Sequence, residues 1–220
     1  MRKFAFVLFV LTSLTELTTH FIDADPVRRV AKSLIMISLG LYYFFSVRAE
    51  DRSRALLGAI FFSFCGDVLL LEDNLFIPGL VAFLISHVLY IFTYRLHRHE
   101  EVNSPLQGIH RVRMAFPIIL AGSGLVVVLY PVLGDLKIPV MVYATVISVM
   151  AIQAQFRMGR TSTASFWLVL SGAVLFMISD SLLAVNKFLQ PINQGGFWVM
   201  LTYILAQYLI IQGLLAHHKK

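Results

Sequence analysis

The chain is 220 residues long, 58% apolar and only 14% charged, with a formal charge of +6 and a mean hydropathy of +0.79. That balance excludes a soluble globular domain and fits a polytopic membrane protein. The basic residues punctuate apolar runs instead of clustering on one face, so they read as topology and no nucleic acid is expected as a partner.

Eight apolar runs are long enough to cross ~30 Å of hydrocarbon at ~1.5 Å per residue, at about 4–19, 30–47, 54–71, 75–95, 114–130, 138–156, 164–185 and 196–214. The first follows Arg2 and Lys3 like a signal peptide, but no small-residue cleavage site follows it, so it reads as a helix with Glu16 at its interfacial end. The second opens on Lys32, which either snorkels to headgroups or meets an aspartate or a lipid phosphate. The third carries Asp67 near its end. Pro78 opens the fourth, on which His87 and Tyr90 share a face by the i, i+3 rule. The longest polar connection follows, from His97 to Arg113. Its histidines, with His217 and His218 of the tail, read as solvated, because no acid or cysteine pattern around them suggests a metal. The seventh run carries Asp180, and the eighth places Tyr203 and Gln207 on one face by the i, i+4 rule.

The expected fold class is therefore all-α: one integral membrane domain, 1–220, with eight transmembrane helices. It divides into weak halves, 1–110 and 111–220, that could be two parallel four-helix repeats, since each half places its aspartate near the end of its third run. With both termini cytoplasmic, thirteen of the 18 Lys and Arg residues fall on the inner side, as the positive-inside rule requires. Asp67 then lies ~20 Å up from Arg54 and Asp180 ~24 Å up from Ala164, both in the outer half of the bilayer.

Those two acids are the strongest functional signal. A carboxylate in hydrocarbon costs at least ~2.5 kcal/mol, so an intramembrane acid points to function by default. Helix glue is the competing account, but an amide or hydroxyl does that with less insertion cost. Cys65 is the only cysteine, which rules out an intrachain disulfide and a cysteine-based metal cluster. No phosphate-binding glycine loop, nucleophile elbow or zinc-protease motif appears, and neither cofactor nor metal is expected.

Several short motifs, in order, resemble the YhhN family of membrane lysoplasmalogenases. They are Lys32, Gly66-Asp67-Val68-Leu69-Leu70, Gly79 to Phe83 leading to Ser86-His87-Val88-Leu89-Tyr90, Gly172-Ala173 ahead of Phe176 and Ser179-Asp180, Ala184-x-Asn186-Lys187-Phe188, and Tyr203-x-x-Ala206-Gln207. The resemblance runs from about residue 30 to 212 and implies hydrolysis of the vinyl-ether bond of lysoplasmalogens to a fatty aldehyde and a glycerophospho-ethanolamine or -choline. A vinyl ether hydrolyses by protonation at its β carbon, capture of the oxocarbenium ion by water, and collapse of the hemiacetal. One protonated carboxyl as general acid and one ionised carboxyl to orient water would meet that need, as paired carboxylates do in glycosidases. Asp67 and Asp180 are the candidates, with the division of roles open. Lys32, His87, Tyr90, Asn186, Tyr203 and Gln207 are candidate substrate-binding residues. The expected partners are a lysophospholipid substrate and membrane lipids, in a bacterial inner membrane. Two rival readings are a proton-coupled transporter and a non-catalytic lipid-binding protein.

Overall fold

A computed structural model describes residues 1–22, 24–99 and 108–217. Lys219 and Lys220, counted toward the inner side, and His218 lie outside the described residues. Within them every regular element is helical, as expected for an all-α chain. The long helices are α1 (Arg2–Thr18), α2 (Asp25–Phe44), α3 (Arg54–Leu69), α4 (Phe76–Leu96), α5 (Ile109–Leu129), α6 (Lys137–Gln155), α7 (Thr163–Ala184) and α8 (Gly195–His217). Local chemistry sets several starts. The Ser53 side chain accepts from the Leu56 amide at the head of α3, and Ser162 accepts from Ser165 at the head of α7, each satisfying an orphan helix donor. Pro26 sits in the first turn of α2, where its missing N–H costs nothing.

Helices α4 to α8, with their flanking turns, are each long and apolar enough to cross a membrane, which makes the chain a multi-pass integral membrane protein. The other three expected spans are helices that fall short for identifiable reasons. α1 and α3 have 17 and 16 residues, ~24–26 Å of rise against ~30 Å of hydrocarbon. α2 has 20 residues but carries Arg28, Arg29 and Lys32 in its first turns.

The chain forms two compact units, Met1–Thr93 and Tyr94–Lys220. In the first, α1 packs on α2 and α2 on α3. α3 and α4 approach so closely that a Cβ on Gly66 would sit 2.5 Å from the buried Phe83 ring. In the second, α5 packs on α6, α6 on α7 and, most extensively, α7 on α8. The α7–α8 contact is nearly backbone to backbone: a Cβ on Gly172 would meet the Ala206 carbonyl at 2.8 Å, and one on Gly213 the Val169 amide nitrogen at 2.8 Å. Small residues permit that approach, and dispersion between closely packed backbones is what holds helices together in lipid.

Candidate active site

In the first unit, Asp67 stands two residues before the end of α3 and is 2% exposed. One turn earlier Ser63 shares a 2.8 Å hydrogen bond with Ser86 of α4, whose hydroxyl also donates to the Ala59 carbonyl at 2.8 Å. This latch fixes the register of α3 against α4. The next residue, His87, and Tyr90 three positions on are both fully buried. Lys32 is half-buried in the second turn of α2, and Arg29, one turn earlier, forms an ion pair with Glu72 just beyond α3. The start of α2 and the end of α3 therefore lie at the same end of the unit. An apolar groove of about 390 Å³ between α2 and α3 is lined by residues including Gly40, Phe44, Leu57, Phe61 and Phe64, the last three positions before Asp67. Glu16 is near the end of α1, as expected, and is 1% exposed, with its Oε1 3.0 Å from His20 Nε2.

In the second unit, Asp180 is half-buried four residues before the end of α7, and the Tyr143 hydroxyl of α6 donates to its Oδ2 at 2.6 Å. Ser179 donates to the Val199 carbonyl of α8 at 2.9 Å, and Tyr203 meets Phe176 edge-on at 5.4 Å between ring centres. Gln207, one turn below Tyr203, is fully buried on the same face. Asn186 lies in a π-helical turn, Val185–Leu189, and its Oδ1 accepts from the Ile192 amide at 2.8 Å. A Cβ on Gly195 would strike that oxygen at 2.4 Å, so the glycine is what lets Asn186 organise the turn into α8. Beyond Asp180, Leu129, Leu133 and Val140 form an apolar cluster with Leu125, Leu136, Ala184 and Phe188. Among the described residues no three His, Cys, Asp or Glu side chains come together as a metal site would need.

The YhhN family model matches residues 27–214, nearly the whole of this architecture. The chain belongs to the YhhN family. The match begins in α2, so α1 lies outside it, whereas both aspartate-bearing helices lie inside. Human lysoplasmalogenase TMEM86B is 30% identical over 82% of this chain and 72% of its own length. The pig protein of the same name is 32% identical over 86% and 76% respectively. A Mycobacterium tuberculosis lysoplasmalogenase is 32% identical over 63% of this chain and 50% of its own. No solved structure matches.

Two polar residues of this YhhN chain carry no distinguishing signal in the sequence. Tyr143 gave no periodic signal; its clue was a hydroxyl-bearing aromatic six residues into α6, ~9 Å from the helix start, where the end of α7 passes. Arg157 looked like one more loop cation, yet it is fully buried. Its Nε donates to the His97 carbonyl at 3.1 Å, Nη1 to the Ser165 carbonyl at 3.3 Å and Nη2 to the Ser165 hydroxyl at 2.8 Å, which donates on to the Gly213 carbonyl at 2.6 Å. Burial pushes the guanidinium down to about 10, still a cation at neutral pH. Of the histidines expected to be solvated, His99 and His110 are exposed, whereas His97 is 5% exposed and His217 half-buried, with the His97 and His99 ring centres 5.7 and 4.9 Å from that of His217.

Proposed function

We propose that this chain is an enzyme that hydrolyses the vinyl-ether bond of lysoplasmalogens, releasing a fatty aldehyde and a glycerophospho-ethanolamine or -choline. The observation that carries this reading is YhhN membership together with curated relatives named lysoplasmalogenase, two of which align over more than seventy per cent of their own length.

Asp67 and Asp180 divide the chemistry. One, protonated, delivers a proton to the β carbon of the vinyl ether, and the other, ionised, orients the water that captures the oxocarbenium ion. Burial of Asp67 and the phenol bound to Asp180 give the two carboxyl groups different surroundings, which is the condition for unequal roles. Lys32 meets the lipid phosphate. His87 and Tyr90 in one unit, and Asn186, Tyr203 and Gln207 in the other, serve the glycerol hydroxyl or the water. The groove that starts at Phe64 takes the alkenyl chain. All eight helices cross the membrane as one domain with both termini cytoplasmic, in a bacterial inner membrane.

Purified protein given a lysoplasmalogen should release aldehyde, and Asp67→Asn or Asp180→Asn should lose release by at least roughly a thousandfold while eluting as folded protein. An active Asn variant at either position would remove that carboxyl from the mechanism. Proton flux driven by a lysolipid in liposomes, without aldehyde, would replace the enzyme reading by a carrier.

A further inference from the structure

At the end of the second unit remote from Asp180, four arginines surround one cavity. Arg95, Arg98, Arg111 and Arg160, with Gln153 and Phe156, line about 240 Å³, and among the described residues no carboxylate lines it. Arg160 precedes α7, and Asp180 lies 17 residues beyond Thr163, the first residue of that helix, a rise of ~25 Å. The cavity is therefore separate from the aspartate-bearing end of this unit.

The backbone holds the arginines in place. The His99 amide donates to the Arg160 carbonyl at 2.8 Å, tying the segment after α4 to the turn after α6. The Arg111 guanidinium lies 5.6 Å from the centre of the Phe156 ring. The Arg160 Nε is buried and has no hydrogen-bond partner among the described residues. Gathering four like charges around one space is unfavourable by itself, and at the edge of a membrane, where the effective dielectric is reduced, the repulsion grows. An anion relieves it. Guanidinium forks match phosphate oxygens with two parallel hydrogen bonds, and the Gln153 amide adds a neutral donor.

Exposed apolar side chains lie on the same two helix ends, α4 and α5, that carry Arg95 and Arg111. Leu96, Ile109, Val112 and Phe116 are all more than half exposed, and the last three repeat at i, i+3 and i+7 along α5. We infer that the cavity is a binding site for a phosphate group, carried by an anionic lipid headgroup or by a free phosphate ester. Basic pockets between membrane helices on the cytoplasmic side hold lipid headgroups in this way.

The test titrates purified protein in neutral detergent with dioctanoyl phosphatidic acid, dioctanoyl phosphatidylcholine and inorganic phosphate, following thermophoresis and melting temperature. Phosphatidic acid should bind saturably and raise the melting temperature, and phosphatidylcholine, whose phosphate is offset by its own cation, should bind at least roughly tenfold more weakly. Arg111→Gln with Arg160→Gln should weaken phosphatidic acid roughly tenfold or more, whereas Arg54→Gln with Arg113→Gln, the same loss of charge at residues that do not line the cavity, should change it by less than about twofold. If the first double variant aggregates, Arg95→Gln, an exposed side chain that does not disturb packing, should still weaken binding by about threefold. Phosphatidic acid binding that inorganic phosphate does not displace assigns the site to a lipid; displacement by inorganic phosphate assigns it to a free anion. The absence of saturable phosphate or phosphatidic acid binding overturns the site, and so does binding that the cavity variants leave unchanged or that phosphatidylcholine equals.

Discussion

Asp180 and Arg157 are both ionisable side chains in an apolar setting, and hydrogen bonds orient each of them. Arg157 has each guanidinium nitrogen aimed at a carbonyl or hydroxyl oxygen, which is how a structural cation is buried. Replacing it by Gln leaves several of those acceptors without a donor, and the melting temperature in detergent should fall by an amount corresponding to about 3–5 kcal/mol; a variant as stable as the parent would mean that water takes over the acceptors. The Tyr143 hydroxyl donates to Asp180 Oδ2 at 2.6 Å, which holds the carboxyl in one orientation. If Asp180 acts on the substrate, Tyr143 positions it, so Tyr143→Phe should lower kcat roughly tenfold with KM little changed and with stability nearly preserved. Unchanged kcat would separate Tyr143 from the reaction. The aspartates were legible in the sequence because a carboxylate inside an apolar run is expensive and therefore rare. Tyr143 was not, because tyrosine is ordinary in membrane helices. Nor was Arg157, because two residues past a helix end in a basic loop nothing distinguishes a buried arginine from a solvated one.

At the scale of elements, the helices were readable because a fixed rise per residue turns bilayer thickness into run length, and the run at 164–185 became α7, Thr163–Ala184, within a residue at each end. Helix–helix approach was harder to read, since a glycine in an apolar run carries no label saying whether it faces lipid or a neighbour. The structure sorts them. Gly172 meets backbone of α8, which cannot rotate away, whereas a Cβ on Gly124 of α5 would have nothing within 4 Å. Gly172→Ala should therefore cost about 1–3 kcal/mol through overpacking, and Gly124→Ala should be neutral or slightly stabilising through helix propensity. Thermal unfolding of the two variants in the same detergent checks this, and equal melting temperatures would mean that α7 and α8 separate more easily than their contact suggests. Gly66→Ala should act through the Phe83 ring on the helix that carries Asp67, so aldehyde release should fall along with stability.

For the whole molecule, length and composition alone support five crossings, and charge must decide the rest. α1 and α3 are short by only a few ångströms, a mismatch that local thinning accommodates at fractions of a kcal/mol per ångström. The cations of α2 lie in its first turns, where Lys and Arg stems reach headgroups. With eight crossings, the connections holding Arg52 and Arg160 are cytoplasmic and those holding Asp135 and Lys187 external, and the excess of basic residues falls inside. With five, α1 to α3 would not cross, and sequential crossings from α4 onward would place Asp135 and Lys187 on one side and Arg160 on the other while giving Arg52 no required side. The single native thiol makes the question experimental. In a Cys65→Ser background, single cysteines at positions 52, 73, 135, 160 and 187 should split under an impermeant maleimide applied to intact cells. Positions 73, 135 and 187 should label directly, and 52 and 160 only after permeabilisation. Position 52 is the most informative: labelling there without permeabilisation would put the α2–α3 connection outside, break the eight-crossing count, and take from Lys32 and Asp67 the external lipid leaflet in which they are proposed to meet the substrate.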